Sequence, residues 1–179
     1  MVLKQVILSF TEKELELIKS NSEKLIEDLS KSSEALESKA NILFSLFVLI
    51  IGSSLSCIID KYKTLGIDNL IIHETVIALI TSVLALTRLY KVLNLKNHKM
   101  IGTKPEFHIN YEGYENEDKM KEILKDTIVT YQSVIDNNIE VHQEKVNNMQ
   151  KSLDILMSGI FFSIAYALLY FLFRFLFSQ

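Results

Sequence analysis

Apolar residues collect into three long runs, at residues 40–59, 71–90 and 155–173, and charged residues concentrate before and between them. A helix needs about 20 apolar residues to cross about 30 Å of hydrocarbon at about 1.5 Å per residue. Each run meets that length. The second is the least apolar, because His73, Glu74 and Arg88 enter it near its ends. The pattern predicts an integral membrane protein with three transmembrane helices.

The first charged block predicts a long amphipathic helix. Thr11 to Glu14 has the form of a capping box, in which a hydroxyl and a carboxylate satisfy the free N–H groups at a helix start. Apolar and small residues then follow at alternating steps of three and four, the spacing of a coiled-coil-like packing seam: Leu15, Ile18, Ser22, Leu25, Leu29, Ser32 and Leu36. No Gly or Pro interrupts residues 11–51. We therefore expect one helix, or two nearly collinear helices, over residues 11–59.

The second charged block predicts a loop followed by another long helix. Pro105, Gly102 and Gly113 place a loop with room for one short strand at residues 97–116. From about residue 117 apolar positions follow a period near 3.6, without Gly or Pro until Gly159. The positions assigned to the buried face are Leu124, Ile128, Tyr131, Ile135, Ile139, His142, Val146, Met149, Leu153 and Leu156.

These elements predict an all-α integral membrane protein with three transmembrane helices, in which two long cytoplasmic helices continue into spans one and three. The expected boundaries are a cytoplasmic amphipathic helix at 1–39, span one at 40–59, an outer turn at 60–70, span two at 71–90, a cytoplasmic loop and long helix at 91–153, and span three at 154–177.

Basic residues predict the orientation of the chain. Six lysines precede the first run, two lie between the first and second runs, and ten basic residues lie between Arg88 and Lys151. Under the positive-inside rule the N-terminus and residues 91–153 face the cytoplasm and the C-terminus lies outside. We expect a multi-pass protein of the plasma membrane, surrounded by lipid and without a cleaved leader.

Composition argues against several classes of function. The net charge of −3 disfavours a nucleic-acid-binding surface, and the single cysteine, Cys57, excludes an intramolecular disulfide framework. The four histidines are widely spaced, and the chain has no glycine-rich phosphate loop. We expect no enzyme activity, no catalytic residue, no cofactor and no metal.

Two sets of residues in the spans are candidate sites. His73 and Glu74 form an ionisable pair at a membrane edge, which is either a pH sensor or ion site or simply part of the outer headgroup zone. Small residues four or seven apart suit either helix packing within the chain or the lining of a pore in a homo-oligomer: Ser45, Gly52, Ser56, Ser82, Gly159, Ser163 and Ala167.

A third candidate set lies just after span two. Its basic residues are Lys91, Lys96, Lys99 and Lys104, with Phe107 and Tyr111 nearby. The lysines suit an anionic lipid or nucleotide, and the aromatic rings suit stacking on a base. The plainer interpretation is that the lysines anchor the topology and the rings pack.

Glu37-Ser38-Lys39-Ala40-Asn41, at the entry to span one, resembles the start of the first span in the transmembrane effector family of Pycsar antiphage defence. The two-span effectors of cyclic-oligonucleotide systems are similar. The likeness extends over most of the layout, through Lys104-Pro105 and a long helix containing Asn138-Ile139 and Lys145. The resemblance implies an effector that oligomerises in the inner membrane. It would impair membrane integrity and halt growth when a cyclic nucleotide or a cytoplasmic sensor protein signals infection.

Two other classes of function remain open. One is a constitutive membrane scaffold or accessory subunit, whose helices dock a cytoplasmic partner without permeabilising anything. The other is a channel or transporter, which the sequence supports less well because its spans contain no broken helix and no charge pair suited to a substrate.

Overall fold

In the computed structural model, residues 10–65, 70–95 and 116–177 are described, and they form three helices. These are α1 at Glu12–Leu65, α2 at Leu70–Asn94 and α3 at Asn116–Phe177. Each contains a stretch long and apolar enough to span a membrane. The predicted all-helical fold with three such helices is confirmed.

The start of α1 is the predicted capping box. The Thr11 backbone N–H donates to Glu14 Oε2 at 2.7 Å, and the Glu14 backbone N–H donates to Thr11 Oγ1 at 3.4 Å. The bonds from Thr11 lower the pKa of the Glu14 carboxyl. At its other end α1 continues to Leu65, so residues 60–65 of the expected outer turn are helical. The loop expected at 97–116 lies outside the described residues, except that Asn116 begins α3.

The chain divides into two compact units. The first comprises residues 1–34 and 96–143, and the second comprises residues 35–95 and 144–179. Both α1 and α3 contribute to each unit without a break in the helix. The three apolar runs fall in the second unit.

The first unit is held by two apolar clusters between α1 and α3. One is formed by Leu15, Leu124 and Ile128. The other places Ile26 against Tyr131. The Tyr131 hydroxyl donates to Glu23 Oε1 at 3.0 Å. Burial, followed by that hydrogen bond, raises the pKa of Tyr131 to about 12.

The core of the second unit joins all three helices. Its buried members are Ala40, Phe47, Ala85, Leu89 and Val92, with Met149, Ile155 and Leu156 of α3 packed against them. Large apolar side chains on the outside are left exposed, such as Phe161 and Phe175 of α3 at 73% and 74%. Such exposure is typical of helices whose outer faces meet lipid tails.

Buried positions on both long helices repeat every seven residues, which differs from the predicted pattern. On α3 they are Leu124, Tyr131, Asn138, Lys145, Ser152 and Gly159, and on α1 they are Ile26, Ser33, Ala40, Phe47 and Ser54. A strict seven-residue repeat is the period of helices that supercoil around each other. A face assigned with a period of 3.6 residues drifts progressively out of phase with that repeat.

The predicted buried faces are therefore wrong in part. Leu25 is 44% exposed, whereas the adjacent Ile26 is 5% exposed. On α3, Ile139, Val146 and Leu153 are 36%, 40% and 39% exposed. The true seam was hidden because several of its positions hold polar or small residues, which hydrophobic periodicity does not count.

Candidate functional site

Helix α3 approaches α2 closely at Gly159. A Cβ added to this glycine would lie 2.8 Å from Thr81 Cβ, which is too close for a real contact. The position of Thr81 Cβ is fixed by the backbone of α2, so no rotation of the side chain removes this contact. Only a residue without a Cβ fits at position 159 at this distance between the helices, as expected for small residues at helix contacts in membranes.

Three polar contacts accompany this approach along α2 and α3. At one end the Ser152 hydroxyl donates to the Ala85 carbonyl at 3.0 Å, and both residues are fully buried. Further along, the Ser163 hydroxyl donates to Glu74 Oε2. At the other end a 2.5 Å hydrogen bond joins His73 Nδ1 and the Tyr166 hydroxyl. These contacts tie α2 to α3 over the length of the apolar stretch.

His73 and Glu74, the predicted ionisable pair, therefore contact side chains of α3. His73 and Tyr166 also meet edge to face, with ring centroids 5.6 Å apart. The second carboxylate oxygen of Glu74, Oε1, is buried and has no hydrogen-bond partner within the described ranges. Carboxylates enclosed among apolar helices are costly and are typical of functional positions in membrane proteins.

A cavity of about 340 Å³ lies beside the contact between Gly159 and Thr81. Ile50 lines it from α1, Ser82 from α2 and Ser163 from α3. Its wall is mostly apolar, with hydroxyl groups on the side where α2 and α3 meet. The cavity suits an apolar occupant.

A buried ion pair joins α1 and α3 inside the second unit. The Lys145 ammonium donates to Glu37 Oε1. Lys145 is fully buried, whereas the Glu37 side chain is 33% exposed. Both residues belong to the segments that carry the family resemblance, and the structure brings them into direct contact. Removing either partner of such a pair is strongly destabilising.

The small residues predicted for packing or a pore separate into two groups. Ser82, Gly159 and Ser163 lie on the α2–α3 contact, and Ala167 is half-buried. The three on α1 are exposed: Ser45, Gly52 and Ser56. A Cβ at Gly52 would have nothing within 4 Å.

Of the basic and aromatic set, the structure describes Lys91 alone. It is exposed in the last turn of α2. Lys96, Lys99, Lys104, Phe107 and Tyr111 lie outside the described residues. The interpretation of this set as a lipid or nucleotide contact stays a prediction.

Four residues of the site were not singled out by sequence reasoning as site residues, namely Thr81, Lys145, Ser152 and Tyr166. Lys145 and Ser152 have a signal in the sequence, because they continue the seven-residue repeat into the apolar run. Thr81 and Tyr166 have none, since their roles depend on which helix lies opposite.

The described part of the chain contains no group of three or more His, Cys, Asp or Glu side chains that could hold a metal ion. Comparison with models of protein families, with curated proteins and with solved structures gave no significant match.

Proposed function

We propose that this protein is a bacterial antiphage effector that oligomerises in the inner membrane and impairs it when a cytoplasmic signal is received. The resemblance at Glu37 to Asn41 suggests the class of function. The observation that carries the proposal is that α1 and α3 each join a polar, paired segment to an apolar span in one unbroken helix. A change in packing at the polar end has a continuous hydrogen-bonded path into the span.

In this proposal the N-terminal part of α1 and the first half of α3 are cytoplasmic and receive the signal. The signal is a cyclic nucleotide or a sensor protein, bound near Lys91 and the segment that follows it. Repacking of the paired helices alters the contact between Glu37 and Lys145. The spans then rearrange, with the chain acting through assembly rather than through catalysis.

Contacts between copies are assigned to the exposed small residues of α1. Ser45, Gly52 and Ser56 fall on one face, because seven and eleven residues both correspond to nearly whole numbers of helical turns. Small side chains on one face allow a second helix to approach closely in lipid. The clear space around Gly52 leaves this face open to another copy.

Inducible expression in a bacterial host tests the proposal. The wild-type chain should arrest growth and admit a membrane-impermeant dye. Gly52→Leu should reduce both effects, because the added side chain blocks close approach between copies without a clash inside the chain. Ser53→Leu is the matched control, since Ser53 is exposed but lies off the small-residue face, and it should retain the wild-type effect.

A harmless wild-type chain, expressed to the same level with and without phage challenge, would refute the proposal and favour the constitutive scaffold. Equal toxicity of the Gly52→Leu and wild-type chains would refute the assigned contact between copies.

A further inference from the structure

A second seam runs along the outside of α3 in the second unit. Its positions alternate in steps of four and three residues, which is the spacing of a helix packed against a partner helix. The residues at these positions are Asn147, Lys151, Asp154, Ser158, Phe161, Ala165, Leu168 and Leu172. All are exposed except Ala165, which is half-buried. This exposed seam is polar over its first half and apolar over its second half.

The height of the exposed seam in the bundle follows from contacts between α1 and α3. The ion pair of Glu37 and Lys145 makes each α1 residue level with the α3 residue 108 positions later. Ile50 and Gly159 line the same cavity and agree with this register to within one residue. The two helices therefore run in parallel through the second unit, and heights on one can be compared with heights on the other.

The two charged residues of the exposed seam lie at the height of the apolar run of α1. Lys39 precedes the first residue of that run. In this register Lys151 and Asp154 lie four and seven residues further into the run than Lys39. These offsets correspond to about 6 and about 10 Å along the bundle. Both charges are thus exposed at the height of the first candidate span.

Moving the hydrocarbon layer along the bundle does not clear every charge. A layer about 30 Å thick that began just beyond Asp154 would include the heights of Asp60 and Lys61. The side chains of these two residues are 71% and 39% exposed. A tilt of about 20° shifts two neighbouring helix axes, about 9 Å apart, by only about 3 Å relative to each other. Charged side chains of the bundle therefore meet lipid unless another molecule covers them.

The described part of the chain offers Lys151 and Asp154 no partner. No side chain in residues 10–65, 70–95 or 116–177 forms an ion pair or a hydrogen bond with either of them. Ionisable residues in membrane-spanning segments are costly and commonly pair with one another. The charged positions of the exposed seam carry one charge of each sign. The seam is therefore complementary in charge to a second copy of itself.

We propose that two copies of the chain pack in parallel along the exposed seam, with Asp154 of each copy paired with Lys151 of the other. The seam has two columns of side chains, one containing Asn147 and Asp154 and the other containing Lys151 and Ser158. In a parallel contact with two-fold symmetry, each column lies across from the opposite column of the second copy. Asp154 and Lys151 then differ in height by about 4.5 Å, which a lysine side chain can span.

This contact rests on the assembly of copies in the proposed function and is separate from the small-residue face of α1. Insertion gives every copy the same orientation in the membrane, so a two-fold axis along the membrane normal is available. Polar groups strengthen the association of helices in lipid, and Phe161 and Leu168 extend the contact over the apolar half of the seam. With the face of α1, each copy then contacts two neighbours.

Disulfide formation at position 158 tests the contact. In a Cys57→Ser background, the Ser158→Cys protein is reconstituted into vesicles and oxidised, and covalent dimers are quantified. Ile160→Cys is the matched control, because Ile160 is 47% exposed but points about 200° away from Ser158 around the same helix. The dimer yield should be at least about fivefold higher for Ser158→Cys than for Ile160→Cys. Equal yields would overturn the inference.

Charge reversal in the Ser158→Cys background tests the pairing itself. Asp154→Lys and Lys151→Asp each leave two like charges on the seam, so each variant alone should form dimers at least about fivefold less than the parent. An equal mixture of the two variants should recover the parent yield as mixed dimers, because every lysine then lies across from an aspartate. An ion pair within one helix predicts no recovery on mixing. Failure to recover would refute the pairing between copies.

These dimer yields are measured without reference to growth arrest. A chain that forms dimers through position 158 but is harmless to its host would support this contact and refute the effector function. A toxic chain with equal yields at positions 158 and 160 would support the effector function and overturn this contact.

Discussion

Replacing Glu37 or Lys145 by methionine should lower the free energy of unfolding by different amounts, because the two side chains of this ion pair are buried to different extents. Glu37→Met leaves the Lys145 ammonium fully buried without its carboxylate, which should cost about 3–5 kcal/mol of unfolding free energy. Lys145→Met leaves the Glu37 carboxylate, which is 33% exposed and retains water on that side. Lys145→Met should therefore cost about half as much unfolding free energy as Glu37→Met.

The double variant completes the comparison. With both partners replaced by methionine, neither position of the pair holds a charge, and stability should return to within about 1 kcal/mol of the wild type. The sum of the single effects would then exceed the double effect by several kcal/mol, which is the signature of two residues that interact directly.

Reversible unfolding in a mild detergent, with increasing denaturing detergent and helicity measured by circular dichroism, gives these free energies. Bundles that lose helix in one transition allow direct comparison of the three variants. A Glu37→Met variant as stable as the wild type, or less damaging than Lys145→Met, would refute the reasoning. So would single effects that simply add in the double variant.

Two further predictions concern one contact in each unit. Gly159→Ala should lower the free energy of unfolding by about 1–3 kcal/mol, because the added Cβ meets Thr81. Gly52→Ala should be neutral or slightly stabilising in the same unfolding assay. Equal effects of the two substitutions would contradict the close approach at Gly159. Folding raises the pKa of Tyr131. The contribution of this tyrosine to stability is therefore complete below its ordinary pKa of 10.0 and is lost as the pH rises toward about 12. Wild-type stability should therefore fall more than that of Tyr131→Phe across this alkaline range, and identical pH profiles would contradict the raised pKa.

The three candidate membrane spans could be predicted from the sequence because length and polarity alone identify them. An apolar run of about 20 residues has few alternatives to a spanning helix, and a capping box identifies a helix start directly. Both signals are local. The three candidate spans and the capping box at Thr11, just before α1, accordingly match the structure.

The packing faces were predicted less well because they depend on the partner helix. Leu25 and Ile26 are equally apolar, and a single helix gives no reason to bury one rather than the other. Their choice follows from the seven-residue period, which buries Asn138, Lys145 and Ser152 on α3. A search for that period without regard to hydrophobicity would have found the seam.

The candidate site shows the same limit. His73 and Glu74 were recognised from the cost of ionisable groups in lipid. Their partners Tyr166 and Ser163 lie about 90 residues away in the chain. No local pattern pairs them, because which residues meet depends on the register between α2 and α3, and that register involves contacts far apart in the chain. Contacts between helices are therefore the feature of the site that is hardest to predict from a single sequence.

Membrane potential in single cells, followed with a potential-sensitive dye from the moment of induction or infection, tests the proposed effector function most directly. The account predicts that the potential collapses before growth stops and before viability is lost. Cells that arrest or die while their membrane potential stays intact would contradict it.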